Sequence, residues 1–374
     1  MAKNNRPDVY RGRRKKLNVL GIVLSVLAVL FVALLVLFGA FQKYIVYENN
    51  GISLELPILA TPEQEQEGSD AGDTSPEQVT AELEVTDPDY SDIESRVDED
   101  MESVRAVYVP SENVTADGIA SYVETLESTG ANALVLDVKP VSGQLVWNSS
   151  VQLAADYGTA GTTDLASIVS GLKQQNIYLI AQLACCTDAL LASRCPMAAL
   201  STPGSSNYTD SDGTWLDPYN SVTSDYLIGL CAELADMGFD ELLLKNLAMP
   251  QTDAALNYTV VLSSVPSPVS AVCGLAIDLT TQLANKDVLI SVILDTQSLR
   301  SGLSAQSGQD ISVFAKLFDR FYCASDSVWR ATVDRDSVDY WMYDGDINLR
   351  FVPIWNFTDE RFNCWVYRQT EAQG

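Results

Sequence analysis

The stretch Phe239–Pro250, FDELLLKNLAMP, decides how this chain is read. Its centre, Leu242 to Leu244 between Glu241 and Lys245, is too short and too uniformly apolar for a surface helix. It suits a strand buried on both faces, as in a parallel sheet covered by helices. The same pattern of short apolar runs repeats outward from it. Strands are expected at Val104–Val109, Ala133–Val138, Ile177–Ala184, Glu241–Lys245, Val288–Leu294, Phe318–Ala324, Phe351–Trp355 and Asn363–Tyr367.

Amphipathic stretches fall between these runs. Asp117–Thr129 carries Ile119, Tyr122, Val123 and Leu126 on one stripe, and Asp164–Gln175 carries Leu165, Ile168, Val169 and Leu172. Ser221–Met237 and Ser270–Asn285 supply two more helices. Asp117 and Asp164 are expected N-caps, and Gly130 and Gly238 helix stops. Eight strands alternating with helices predict an α/β chain closed into a (β/α)8, or TIM, barrel over residues 101–374, its last units compressed. In such a barrel the C-terminal ends of the strands face the active site, so position 245 is a place for chemistry.

The first hundred residues have a different composition. Residues 1–16 hold Lys3, Arg6, Arg11, Arg13, Arg14, Lys15 and Lys16 against one acid, Asp8. Residues 17–42 then carry no charge, which exceeds the ~20 residues a helix needs to cross a bilayer. A cleaved signal peptide also begins with a basic segment and an apolar run. Its core, however, would be only ~7–15 residues long with a small-x-small site behind it, whereas this run ends in Phe41, Gln42, Lys43 and Tyr44. The expectation is an uncleaved transmembrane helix, its basic tail cytoplasmic and everything after it extracytoplasmic at the plasma membrane. Residues 43–100 form an acidic linker, with sixteen Asp and Glu and the single base Arg96 between Gly51 and Asp100. Self-repulsion and low hydrophobicity predict disorder there.

Composition excludes several kinds of chemistry. A formal net charge of −27 argues against a nucleic-acid partner. The chain has no histidine, which removes Ser-His-Asp and Cys-His catalysis and the histidine-containing zinc sites. No cofactor and no metal site are expected. Of the seven cysteines, the neighbours Cys185 and Cys186 read as small buried hydrophobes, since adjacent residues on a strand face opposite ways. Five Asn-x-Ser/Thr sequons, at Asn113, Asn148, Asn207, Asn257 and Asn356, read as chance occurrences.

Carboxylates that follow strands are where a carbohydrate-cleaving barrel keeps its acid and its nucleophile or base. Glu112, Asp137, Asp188, Asp217, Asp295 and Asp326 occupy such places, with Trp215, Tyr219, Tyr322 and Trp355 as aromatic faces on which sugar rings stack. Asp137, Asp295 and Glu112 are the candidate catalytic acids. Lys139, Asp188, Trp215, Asp217, Tyr219, Lys245, Asp326 and Trp355 are candidate substrate contacts. An Asp after a strand also caps the next helix or starts a turn, and in so acidic a chain that reading applies to each of them.

The segments VRAVYVP (104–110), ANALVLDVKPVSGQLVW (131–147), IYLIAQLACCTDALLA (177–192), WLDPYN (215–220) and GFDELLLKNLAMP (238–250) resemble, in order and spacing, the blocks of a glycoside-hydrolase-like TIM-barrel family long catalogued as a domain of unknown function. The resemblance covers roughly residues 102–330 and implies an anchored or secreted barrel acting on polysaccharide. It maps family positions onto Asp137, Lys139, Asp188, Asp217 and Tyr219. Where the family strand reads Asp-Tyr-Ile-Arg-Phe-Pro, this chain has Lys245, Asn246, Leu247, Ala248, Met249 and Pro250. Gln182 and Thr187 stand where the family has basic residues.

Glycoside hydrolysis needs two carboxyl groups flanking the bond. A lysine in place of one removes it and sets an ammonium where positive charge would develop. Lys245 is expected to pair with Asp137 in a degenerate site that binds cell-envelope polysaccharide. Two other readings stay open: an active glycosidase with a relocated carboxylate pair, such as Asp137 with Asp295 or Glu112, and an envelope scaffold that binds a protein partner.

Overall fold

The computed structural model describes residues 90, 92–97, 101–258, 267–342 and 345–369, together with the antiparallel strand pair Ile45–Glu48 and Gly51–Leu54. The expected basic tail, the transmembrane helix over 17–42 and most of the linker lie outside these residues. Among the described residues no helix is long and apolar enough to cross a membrane. The chain divides into two compact units, Met1–Ala81 and Glu82–Gly374.

The second unit is a closed barrel of eight parallel strands. In chain order they are β1 Arg105–Val109, β2 Ala133–Lys139, β3 Tyr178–Ala184, β4 Glu241–Lys245, β5 Leu289–Ile293, β6 Phe321–Ala324, β7 Phe351–Trp355 and β8 Trp365–Tyr367. The barrel closes where Trp365, Val366 and Tyr367 of β8 pair with Arg105, Ala106 and Val107 of β1. The helices used below are α1 Ala120–Thr129, α2 Leu165–Lys173, α3 Ser221–Asp236, α4 Pro268–Gln282, α5 Ile311–Leu317 and α6 Val328–Trp341. The closing units are short, as expected: a helix of four residues, Ile347–Arg350, leads into β7, and no helix separates β7 from β8.

Local chemistry accounts for most of the boundaries. Asp164 caps α2 by accepting from Ser167 N, and Gly130 ends α1 in the left-handed region at φ 68°. Asp117 is not a cap: α1 begins at Ala120 behind Ile119, which offers no side-chain acceptor. The linker also gives way earlier than its charge implies. Tyr90 and Ile93 pack on the barrel core, Arg96 N donates to Lys316 O at 2.9 Å, and the Arg96 guanidinium donates to Leu317 O at 3.0 Å. Even in an acidic segment, two apolar side chains and one arginine suffice to dock the chain.

Two apolar layers hold the barrel. One lies between strands and helices, and the other fills the lumen with Ala106, Val135, Ile180, Leu243, Tyr322, Val352 and Val366. Because strand residues alternate between faces, these positions fix which neighbours point inward. Glu241, Tyr178 and Arg320 form the lumen floor at the N-terminal end, and Tyr322 is bound into it, its hydroxyl donating to Glu241 Oε1 at 2.7 Å. Tyr322 is therefore no mouth aromatic. All seven cysteines are free and buried, Cys185 and Cys186 among them.

Candidate active site at the barrel mouth

The same alternation that seats Ala106, Val135, Ile180 and Leu243 in the lumen carries Tyr108, Asp137, Gln182 and Lys245 inward at its C-terminal end. Asp137 pairs in the ladder with Gln182 of β3 and accepts a 2.8 Å hydrogen bond from the Tyr108 hydroxyl. It is only 7 % exposed, and its Oδ1 is buried without a partner. Burial pushes its carboxyl above the ordinary carboxylate value. The Tyr108 hydrogen bond, the Lys245 charge, the Gln182 amide and the Arg368 charge oppose that shift without cancelling it. Burial and the Asp137 charge in turn raise the Tyr108 hydroxyl, which stays protonated and donates.

Lys245 enters from β4. The chain turns sharply behind it, with Asn246 in the left-handed region at φ 52°, a conformation asparagine tolerates better than most residues. The turn is pinned from both sides: Cys186 N donates to Asn246 O at 3.0 Å, and Asn246 Nδ2 donates to Thr187 Oγ1 at 2.9 Å. Lys245 itself makes no ion pair among the described residues, so the expected direct pairing with Asp137 does not form; the two interact only through space. Arg368, just past β8, lays its guanidinium over the Tyr108 ring at 4.6 Å. Tyr108 and Arg368 were not among the residues expected from sequence. Tyr108 was legible as the inward neighbour two places after Ala106, whereas Arg368 follows the shortest barrel strand and had no signal.

Several expected site residues have structural roles instead. Lys139 lies two places after Asp137, but a bulge interrupts the β2–β3 register between them and re-aims its side chain. Its ammonium is fully buried, 2.8 Å from Asp188 Oδ2 and 2.7 Å from Ala184 O, with the Tyr226 ring of α3 at 5.9 Å. Asp188 accepts from Leu191 N at 2.7 Å and caps the helix Ala189–Arg194. Gly143, at φ 85°, lies so close that a Cβ there would come 1.8 Å from Asp188 Oδ1, so the VSG turn requires glycine. Neither Lys139 nor Asp188 is free to bind a ligand.

Asp295 caps the helix Thr296–Ser301 by accepting from Gln297 N and Ser298 N, and its other oxygen is bound by the Ser307 hydroxyl. Asp217 is buried and accepts from Tyr219 N, while the Tyr219 hydroxyl donates to Ser267 O at 2.7 Å. Trp215 is buried, and Trp355 faces away from the lumen, stacked on Phe357 at 4.5 Å. Glu112 and Asp326 are exposed, the first in a 3-10 turn, the second beside the Ser327 cap of α6. Among the described residues no three acidic or cysteine side chains converge as a metal site.

The Asp137 environment makes a testable claim about pH. Below the ordinary value of 3.8 the carboxyl is protonated both folded and unfolded, and it contributes no pH dependence. Above it the unfolded chain ionises and gains stability while the buried carboxyl resists, so folding weakens as pH rises until the folded carboxyl also ionises. Asp137→Asn lacks this penalty. In urea titrations across pH 3–8 the variant is expected to gain on the natural chain by up to ~1.4 kcal/mol per pH unit over that window. Parallel profiles would count against a strained carboxyl.

Comparison with known proteins agrees with this architecture. The glycoside hydrolase domain of PgaB (BpsB) from Bordetella bronchiseptica is 13% identical, with 68% of this chain and 84% of that one covered at a TM-score of 0.50. The galactosidase domain of AgaSK, an α-galactosidase–sucrose kinase, is also 13% identical, with 73% and 38% covered at 0.50. A hypothetical protein from Ruminiclostridium thermocellum ATCC 27405 is 24% identical over 50% of this chain and 96% of its own, at 0.44. No curated protein matches. Likeness at these identities extends to the fold alone, but the sequence carries the assignment further. Residues 106–323, more than half of the chain, match the family DUF4015, "Putative glycosyl hydrolase domain", and the chain belongs to that family.

Proposed function

We propose that this chain is a membrane-anchored, extracytoplasmic barrel that binds cell-envelope polysaccharide and has lost the two-carboxylate chemistry of a glycosidase. One observation carries the reading: among the described strand-end residues that alternate into the lumen mouth Asp137 is the one carboxyl, and the position on β4 where the family resemblance calls for an acid holds Lys245. Hydrolysis with either stereochemical outcome needs two carboxyl groups across the bond. The nearest substitute in sequence terms, Asp295, is committed to a helix cap and to Ser307. Anchoring is supported by the charge-free run over 17–42 behind a basic tail.

The test uses the full chain in lipid nanodiscs against a panel of envelope polysaccharides, with binding and the release of reducing ends both recorded. Binding without release is expected. Hydrolysis abolished by Asp137→Asn would overturn the degenerate reading in favour of an active glycosidase.

A second reading, an envelope protein as partner, is favoured by an exposed stripe on α6, where Trp329 is 73 %, Val333 44 % and Tyr340 78 % accessible. Loss of envelope association in Trp329→Ser with glycan binding intact would support it.

A further inference from the structure

The charge at the mouth is opposite to the charge of the chain. Against a formal net charge of −27, two cations, Lys245 and Arg368, bear on the same buried group, and neither has an ion-pair partner among the described residues. Of the acids that follow strands, Asp188 is spent on Lys139 and a cap, Asp295 on a cap and Ser307, and Asp217 on the turn into α3, while Glu112 and Asp326 are exposed to solvent. The Arg368 guanidinium carbon lies 4.6 Å from the centre of the Tyr108 ring, and a guanidinium so placed is a fork donor suited to a carboxylate or phosphate. The Lys245 ammonium is half-buried, where its charge is screened less than at an open surface.

Asp137 supplies the independent sign that this place awaits a ligand. Its Oδ1 is buried and makes no hydrogen bond, so a ligand group is left to satisfy it. Burial pushes the carboxyl toward its neutral form, which lessens its repulsion of an anion. The acidity of the rest of the chain is felt weakly there, because exposed charges are screened beyond ~8 Å at physiological salt.

We infer that the saccharide taken at this mouth is anionic, a sugar unit bearing a carboxylate or phosphate, gripped by Lys245 and Arg368 with the Tyr108-supported Asp137 contacting the same unit. This rests on the polysaccharide-binding reading above and narrows it to a chemical class. A neutral glycan could satisfy the buried oxygen with a hydroxyl but would leave the two cations without a counter-charge.

Isothermal titration of the full chain in nanodiscs with three probes tests it: a glucuronic-acid-containing oligosaccharide, glucose 6-phosphate, and a neutral gluco-oligosaccharide of matched length. The charged probes are expected to bind at least tenfold more tightly than the neutral one, and less tightly as salt rises from 50 to 300 mM. Preference between uronate and phosphate identifies the source of the charge. Lys245→Met and Arg368→Gln are each expected to cost roughly tenfold or more for a charged probe and less than twofold for the neutral one. Arg368 is exposed, so its variant keeps the fold, and an unchanged thermal midpoint verifies this. Equal, salt-insensitive binding of charged and neutral probes overturns this inference while leaving glycan binding standing. Failure of all three saccharides to bind overturns both.

Discussion

Asp188→Ala is expected to cost the fold about 3–5 kcal/mol, although Asp188 touches no ligand. The carboxylate and the Lys139 ammonium are 2.8 Å apart and neither is exposed, so removing one strands the other charge in a medium that cannot solvate it. The contact is ionic rather than an aligned hydrogen bond, and geometry alone does not hold it. The cap on Leu191 N is lost as well, which by itself costs about 1 kcal/mol. Lys139→Met retains the cap and removes the counter-charge, and should fall in the lower part of the same range. The decisive measurement is the double variant Lys139→Met with Asp188→Asn, followed by urea unfolding with tryptophan fluorescence. Both charges are then gone while a side chain of similar size still rests on Gly143, so the double variant should recover much of the single-variant loss. Strict additivity of the two single losses would mean that the pair is not coupled. Because β2, β3 and the VSG turn meet at this pair, such variants should also disturb the mouth, and binding losses measured in them report on folding rather than on contact.

This pair also shows where sequence reasoning stopped. β4 was legible residue for residue, because an apolar core bounded by Glu241 and Lys245 has one arrangement in a parallel barrel. Lys139 was not, since period-2 alternation puts it on the same face as Asp137 and no feature of VLDVKP announces the bulge that separates them. The acids after strands failed for a different reason. Asp188 and Asp295 sit where chemistry would place an acid and where a helix needs an N-cap, and the sequence is the same in either case. Trp355 turned on the choice of face: Val352 and Ile354 belong to the lumen, which sends Phe351, Pro353 and Trp355 outward, but an all-apolar strand carries no mark of which set is which. Asp137 and Lys245 were found because each is a charge at the end of an apolar strand, the one pattern that burial cannot explain.

At the opposite end of the lumen, Glu241→Ala is expected to destabilise the barrel by at least as much as Asp188→Ala. The Glu241 carboxylate is fully buried and bound on both oxygens: Oε2 accepts from Tyr178 Oη at 3.0 Å and from the Arg320 guanidinium, and Oε1 accepts from Tyr322 Oη at 2.7 Å. Arg320 also donates to Tyr178 Oη at 3.2 Å, to Leu349 O at 3.0 Å and to Glu102 O at 2.6 Å. Deleting the carboxylate leaves a buried guanidinium without a counter-charge, about 3–5 kcal/mol, and takes the acceptor from two phenol hydroxyls, of which Tyr178 keeps its contact with Arg320, at up to ~1–3 kcal/mol each, terms that overlap and do not sum. Glu241→Gln keeps an acceptor and much of the shape, so it should lose less. Chemical unfolding of both variants measures the ranking, and a loss below about 1 kcal/mol for Glu241→Ala would mean that water reaches the floor and solvates Arg320. Strand ends at this face of a barrel serve stability and those at the other face serve chemistry. Below its melting range, Glu241→Ala should therefore bind saccharide with unchanged affinity, whereas Lys245→Met should lose affinity with little loss of stability. That opposite pairing of effects on two ends of one strand separates the frame of this barrel from its mouth.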